Sequence, residues 1–393
     1  MPGPDLQPAA PLRQLPGGRT PGRILVRGVN WLGDAVMSTP ALMRLREAHP
    51  RARITLLTAA KLAELFQGHP ALDEIAAFTP ADGVWTLGRR VRRGHFDLGL
   101  VLPNSPRSAL ELWLGRVSRR IGLALPFRSL FLTEAVPAMP EATPMVKLSL
   151  GEIRARLADP SRHPGLVPPA RAHHVHHYLH LAAAAGASPE PLAPFLPVTE
   201  LELASARSRF GLEGPRWFGL NPGAEYGPAK RWPAERFAAV AVAAQRRWHC
   251  RWVILGGAGD VAVAEAIAGQ ILGELRRDPG SAPAIPPLVL AGRTSLRELC
   301  AVLKLCRVLL TNDTGPMHLA AAVGTPVVVP FGSTSPELTG PGLPGDTRHA
   351  WLRAGVPCAP CFLRSCPVDF RCMRGIGVAA VLESLARVTE SDR

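Results

Sequence analysis

The sequence predicts an α/β protein made of two consecutive Rossmann-like domains with parallel sheets. Three observations carry this. Short runs of aliphatic and β-branched residues alternate with longer runs of helical periodicity, the pattern of βαβ units. That alternation occurs twice, interrupted once by a stretch rich in Pro and His. The chain has 393 residues, 47% of them hydrophobic, enough for two sizeable cores.

The first series opens with RILVRG at residues 23–28, read as a strand. NWLGDAVMSTPALMRLREAHP (30–50) follows as a turn and an amphipathic helix. RITLLT (53–58) and FDLGLVLP (96–103) are further strands, SPRSALELWLGRV (105–117) a helix and RRIGLAL (119–125) one more strand. Between 159 and 197 the texture changes to Pro-rich loops around the His-rich run HHVHHYLH. The second series then gives RWFGLNPG (216–223), RWVILGG (251–257) and PLVLAG (287–292) as strands, with helical runs at 234–248, 261–275 and 295–306. It continues with LLTNDTGPMHLAAAVGTPVVVPFG (309–332), which reads strand, helix, strand. The implied division is a disordered tail at 1–22, a first domain at 23–190, a linker at 191–197 and a second domain at 198–393, with a Cys-rich segment at 358–372.

The formal net charge is +14, and only four of the 45 basic residues are Lys. Residues 89–128 hold nine Arg against Asp97 and Glu111. Such a stripe suits an anionic partner or is simply a solvated face. No run of 18 or more apolar residues appears, and the Pro- and Gly-rich start lacks the apolar stretch of a signal peptide, so a cytoplasmic protein is expected. Seven Cys in a chain of this length do not make a secreted disulfide framework.

Ligands of parallel α/β sheets sit beyond the carboxyl ends of the strands. Four such loops are loaded with polar residues. In the first, Asp34 either caps a helix or presents a carboxylate able to take a proton from a hydroxyl. In the second, Asn104, Ser105 and Arg107 precede a helix; Ser105 is a candidate cap and Arg107 a candidate anion ligand. In the third, Gly223 and Gly227 let backbone approach a ligand, and Lys230 suits a phosphate as a compact charge. In the fourth, Thr314 and Gly315 offer free backbone N–H groups at a helix start, an anion site, with His318 on the first turn and Asp313 just before.

Gly257, Gly259 and Ala262 fit G-x-G-x-x-A, with Glu274 further on, which raises an NAD-type oxidoreductase as a rival. The motif follows the second strand of its domain rather than the first, where the dinucleotide fold carries it. No G-x-x-x-x-G-K-[ST] loop is present, against a P-loop NTPase. Cys358, Cys361, Cys366 and Cys372 show C-x2-C-x4-C-x5-C spacing; they are either reduced thiols or ligands of a structural zinc or iron–sulfur cluster.

Taken together, NWLGDAVMSTPAL, LPNSPRSAL, NPGAEYGPAKRWP and TNDTGPMHLAAAVGTPVV resemble the ordered motifs of glycosyltransferase family 9, in its type II heptosyltransferase branch. The resemblance covers about residues 23–341. It implies a GT-B fold, two Rossmann-like domains facing a central cleft, with acceptor on the first and nucleotide sugar on the second. The implied reaction is inverting, metal-independent transfer of L-glycero-D-manno-heptose from ADP-heptose to the first heptose of the lipopolysaccharide inner core; another heptose acceptor is the nearest alternative. No cofactor is required. By carry-over Asp34 is the general base, Lys230 binds the diphosphate, and Asp313, Thr314, Gly315 and His318 form the donor motif. Gly223 belongs to the same loop as Lys230. Asp260 matches loosely as a ribose contact, and Asn104, Ser105 and Arg107 as acceptor contacts. The acceptor would be a Kdo-containing, heptosylated lipid A, which implies peripheral contact with the inner leaflet of the inner membrane and no nucleic-acid partner.

Overall fold

The computed structural model describes residues 20–162, 167–214, 216–277 and 284–390. Most of the expected N-terminal tail (1–22) lies outside the described residues, as does part of the Pro-rich loop after Asp159. Two six-stranded sheets form, and every strand pair in both is parallel. The first contains β1 (Arg23–Arg27), β2 (Arg53–Ala59), β3 (Glu74–Phe78), β4 (Leu98–Val101), β5 (Arg119–Leu123) and β6 (Glu134–Val136). The second contains β7 (Trp217–Asn221), β8 (Arg251–Ile254), β9 (Leu288–Val289), β10 (Val308–Thr311), β11 (Val327–Pro330) and β12 (Ala350–Leu352).

The strand orders are β3-β2-β1-β4-β5-β6 and β12-β11-β10-β7-β8-β9. These are one topology repeated. Each sheet reverses its strand order once, between β1 and β4 and between β7 and β10. The crevice outside the strand ends at such a reversal is where α/β sheets bind ligands. The four polar loops follow these four strands, so the topology alone brings them to two facing crevices.

The central strands are buried on both faces, as helix-covered parallel strands must be: β4, β7, β10 and β11 have no exposed residue. The edge strands are short and half-exposed, and three of them (β3, β6 and β12) have too weak an apolar signal to stand out in the sequence. The single helix expected across 30–50 is two, Leu32–Met37 and Thr39–Ala48. The hydroxyls of Ser38 and Thr39 donate back to Ala35 and Val36 carbonyls, each at 2.8 Å, and Pro40 has no N–H to continue the ladder.

The halves meet at the cleft floor. Helix Leu32–Met37 packs against helix Gly315–Ala322 with both N-termini adjacent. Two glycines permit this approach. A Cβ on Gly33 would lie 2.7 Å from His318 Cδ2, and one on Gly315 2.6 Å from Leu32 Cδ2. His173 Nε2 to the Gly340 carbonyl (3.1 Å) and Leu196 N–H to the Ala322 carbonyl (3.1 Å) add polar ties.

Candidate active site

Asp34 lies in the first turn of helix Leu32–Met37. The residue before that helix is Trp31, which makes no side-chain cap, and Asp34 does not act as one. Its carboxylate instead faces helix His174–Ala184. Tyr178 Oη donates to Asp34 Oδ1 at 3.1 Å, and His174 Nδ1 stands 3.8 Å from the same oxygen. Burial pushes the Asp34 carboxyl up, but interaction with His174 and the hydrogen bond from the Tyr178 hydroxyl outweigh it. The net pKa lies below the usual carboxylate value, so Asp34 is ionised at neutral pH. Burial, then the Asp34 charge, hold the Tyr178 phenol well above its ordinary value, so it remains a donor.

Two cavities share Asp34, Trp31, Met145 and His174 in their walls. One, of about 400 Å³, lies within the first half and includes Asn104, Ser105, Tyr178 and His177. The other, of about 380 Å³, spans both halves and includes Lys230, Asp313, Thr314, Gly315 and His318. Asp34 therefore stands where the two spaces meet.

In the second cavity, Lys230 Nζ donates to Asp313 Oδ2 at 2.6 Å, and Thr334 Oγ1 donates to the same oxygen at 2.5 Å. Lys230 also sits 5.1 Å from the Tyr226 ring centre. Asp313 thus orders the turn by holding the lysine. Asn312, which sequence reading left without a role, is fully buried. It accepts from Trp232 N–H (2.9 Å) and donates to the Pro222 carbonyl (2.7 Å), locking the Lys230 loop to the end of β10. Thr314 precedes helix Gly315–Ala322 without a side-chain cap; Pro316 has no N–H and Met317 N–H bonds the Thr314 carbonyl (3.0 Å), so the backbone N–H groups left for a ligand in the cavity wall are those of Thr314 and Gly315. His318 is buried; burial, only partly offset by Asp313 and Asp34, brings its pKa down to about 4, so its ring is neutral.

Three expected ligands lie outside both cavity walls. Arg107 Nε donates to Glu111 Oε1 (3.3 Å) and its Nη2 to the Asp82 carbonyl (2.7 Å). Glu111 is fully buried and also holds Arg27 at 2.8 Å, so Arg107 completes a structural network. Asp260 accepts the Gly257 N–H at 3.0 Å, capping the turn inside the G-x-G-x-x-A stretch. Gly223 backs onto it: a Cβ there would be 2.4 Å from Asp260 Oδ2, so its glycine serves that contact. Ser105 accepts from Ser108 N–H (3.3 Å), the expected cap, while still lining the first cavity.

Of the two readings of the cysteine spacing, a structural metal site gains no support. Among the described residues no group of three or more His, Cys, Asp or Glu is placed to hold a metal ion. All four thiols are free and border one void of about 20 Å³. Burial raises the Cys358 and Cys361 thiols and takes Cys372 to about 11. The segment works as a brace. Arg364 carbonyl accepts from Ala229 N–H (3.0 Å), Phe362 carbonyl from Tyr226 Oη (2.8 Å), and Cys361 carbonyl from Leu148 N–H (3.0 Å) across the halves.

Two Rossmann-like sheets facing a cleft, with an ionised carboxylate between a first-half cavity and one walled by both halves that holds Lys230, fit a GT-B glycosyltransferase. The profile of glycosyltransferase family 9 (heptosyltransferase) matches residues 154–370. Lipopolysaccharide heptosyltransferase 2 of Salmonella typhimurium is 30% identical over 333 residues, 81% of this chain and 85% of that enzyme. The solved E. coli ADP-heptose LPS heptosyltransferase II superposes with a TM-score of 0.71 at 26% identity, covering 94% of this chain and 99% of that one. A family 9 glycosyltransferase from Veillonella parvula superposes at 0.73 with 21% identity, covering 94% and 98%. The chain belongs to glycosyltransferase family 9.

Proposed function

We propose that the protein transfers L-glycero-D-manno-heptose from ADP-heptose to the first heptose of a Kdo-containing lipopolysaccharide inner core, with inversion and without a metal. The observation that carries this is Asp34 at the junction of the two cavities. The acceptor occupies the first-half cavity beside Asn104 and Ser105, and the nucleotide sugar the cavity of Lys230 and the Gly315 helix start. In this reading residues 23–190 bind acceptor, 191–197 link, and 198–393 bind donor. The names of the relatives support the sugar and its ADP carrier.

Asp34, ionised, removes the proton of the attacking acceptor hydroxyl through Oδ2, the oxygen not engaged by Tyr178. The hydroxyl attacks the anomeric carbon opposite the leaving group, and a single displacement inverts that centre. Negative charge grows on the departing ADP. Lys230 and the Thr314 and Gly315 N–H groups at the helix start meet it, supplying from the protein the positive charge that a metal provides elsewhere. His318, neutral, adds no charge and packs the floor against Gly33. The acceptor is lipid-borne, so the enzyme works on the cytoplasmic face of the inner membrane as a peripheral protein. Among the described residues no helix is long and apolar enough to cross a membrane.

The test is a transfer assay with ADP-heptose and mono-heptosylated Kdo–lipid A, read by mass spectrometry. One added heptose is expected, lost in Asp34→Asn while ADP binding persists. Unchanged transfer by that variant rules out the assigned base. Transfer only to a different core acceptor would leave the chemistry and move the acceptor.

A further inference from the structure

One side of the first sheet carries an unusual surface. Helix Val84–Arg93 buries Leu87, Gly88 and Val91 and turns Trp85, Arg89, Arg92 and Arg93 outward. At 100° per residue these four fall within one face. The next helix, Pro106–Leu114, packs beside it through Gly88 against Leu114, and Gly115 against Val91. It adds Trp113, with Arg116 just beyond its end. Phe131 meets Trp113 edge-on, ring centres 6.0 Å apart, and continues the surface into the turn Ser129–Phe131.

That turn is built to hold apolar side chains in water. Phe127 is 80% exposed and Leu130 78%, and Phe127 has a left-handed backbone (φ 59°), a conformation costly for a bulky residue. Between them Arg128 is fully buried. Its guanidinium donates to the Val101 carbonyl (2.9 Å), the Pro103 carbonyl (2.7 Å) and the Leu123 carbonyl, fixing the turn to the ends of β4 and β5. Pro103 and Leu123 line the first-half cavity, so the rigid turn stands at its rim. Trp85 (66%) and Trp113 (47%) complete the exposed apolar set.

Arginines outnumber the acidic residues near this surface, nine to two over residues 89–128. Glu111 is buried between Arg27 and Arg107, Asp97 accepts from the Gly22 and Arg23 N–H groups, and Asp82 accepts from Thr79. The surface is therefore cationic and apolar at once. Interfacial Trp, Arg and a projecting Phe–Leu pair fit a phospholipid surface with anionic headgroups. Nucleic acid would use the Arg and Trp residues, but gives a projecting Leu no counterpart.

We propose that this face, from Trp85 and the Arg89–Arg92–Arg93 cluster to the Phe127–Leu130 turn, docks the protein on an anionic lipid bilayer and presents the rim of the first-half cavity to it. It deepens, and rests on, the reading that the acceptor is lipid-borne. Docking places Phe127 and Leu130 at the headgroup–acyl boundary and the arginines among lipid phosphates.

The experiment is vesicle co-sedimentation of the full chain with phosphatidylcholine alone or mixed with phosphatidylglycerol, at low and high salt, without donor or acceptor. Retention is expected on the anionic vesicles at low salt and release at high salt. Arg89→Ser, Arg92→Ser and Arg93→Ser should each weaken partitioning about fivefold. Phe127→Ser with Leu130→Ser should lower it at least about tenfold. All five positions are exposed, and circular dichroism checks that the fold survives. Both sets of variants should turn over detergent-dispersed acceptor as the parent does. Retention of the variants equal to the parent, equal binding to neutral vesicles, or displacement by single-stranded DNA would overturn the proposal. If no protein transfers heptose yet vesicle binding still depends on this face, the functional reading falls and the docking face stands.

Discussion

Tyr178 donates to Asp34 Oδ1 at 3.1 Å from a residue 144 positions away. The bond leaves Oδ2 as the free oxygen and favours the ionised carboxylate. Tyr178→Phe removes the donor and little volume. Without that donor the Asp34 carboxyl rises, and the acid limb of the pH–rate profile, which reports ionised Asp34, moves to higher pH. At neutral pH Asp34 stays ionised in the variant, so the loss of rate should be confined to the acid side of the profile. An acid limb that stays in place would deny Tyr178 this role.

This pair also shows where sequence reading stopped. That Asp34, Asn104, Lys230 and Thr314 line the cavities was legible because each sits at a strand end before a helix, and parallel topology fixes where such loops go. Tyr178 and His174 lie inside a His-rich helical run, where only tertiary packing decides which face meets Asp34. Arg107, read as a candidate anion ligand, instead pairs with Glu111 four residues on, an i,i+4 pairing visible in the sequence. Asp260, loosely matched to a ribose contact, has a local role that its sequence context does not announce, accepting the Gly257 N–H. The cysteine spacing was plain, but spacing alone does not converge thiolates on a metal.

Lys230 and Asp313 form a nearly buried ion pair, with side chains 13% and 4% exposed. Lys230→Ala strands the Asp313 carboxylate, at a cost of about 3–5 kcal/mol for a broken buried pair. Adding Asp313→Asn should recover most of that stability in urea denaturation, because no uncompensated charge remains. Turnover should not return, since the positive charge facing the diphosphate is still missing. Recovery of activity in the double variant would mean that Lys230 serves only the fold.

Gly33 is held to glycine by His318 across the cleft floor. In Gly33→Ala the new methyl meets the ring at 2.7 Å, and overpacking of this kind costs about 1–3 kcal/mol. Because the contact joins the two halves, kcat/KM should fall with it. His318→Ala vacates that space, so Gly33→Ala in that background should cost much less. A denaturation double-mutant cycle measures the difference; purely additive costs would refute the contact as the cause.

Five histidines set the acid limit of the fold. Burial is the leading cause in each, bringing His69, His177, His318 and His349 to about 4 and His173 to about 3. Their unfolded value is near 6.5, so between that pH and about 4 the unfolded chain binds more protons than the folded one. Stability therefore falls as pH drops through this window. Each fully engaged histidine contributes about 1.4 kcal/mol per pH unit there. His173 bridges to the Gly340 carbonyl and His318 lies under Asp34, so the loss should loosen the contact between the halves first. Thermal unfolding from pH 7 to 4.5 should show a steep fall in Tm. His173→Asn can still bond Gly340 but does not titrate, and should flatten the slope by close to one proton. An unchanged slope would remove His173 from the set.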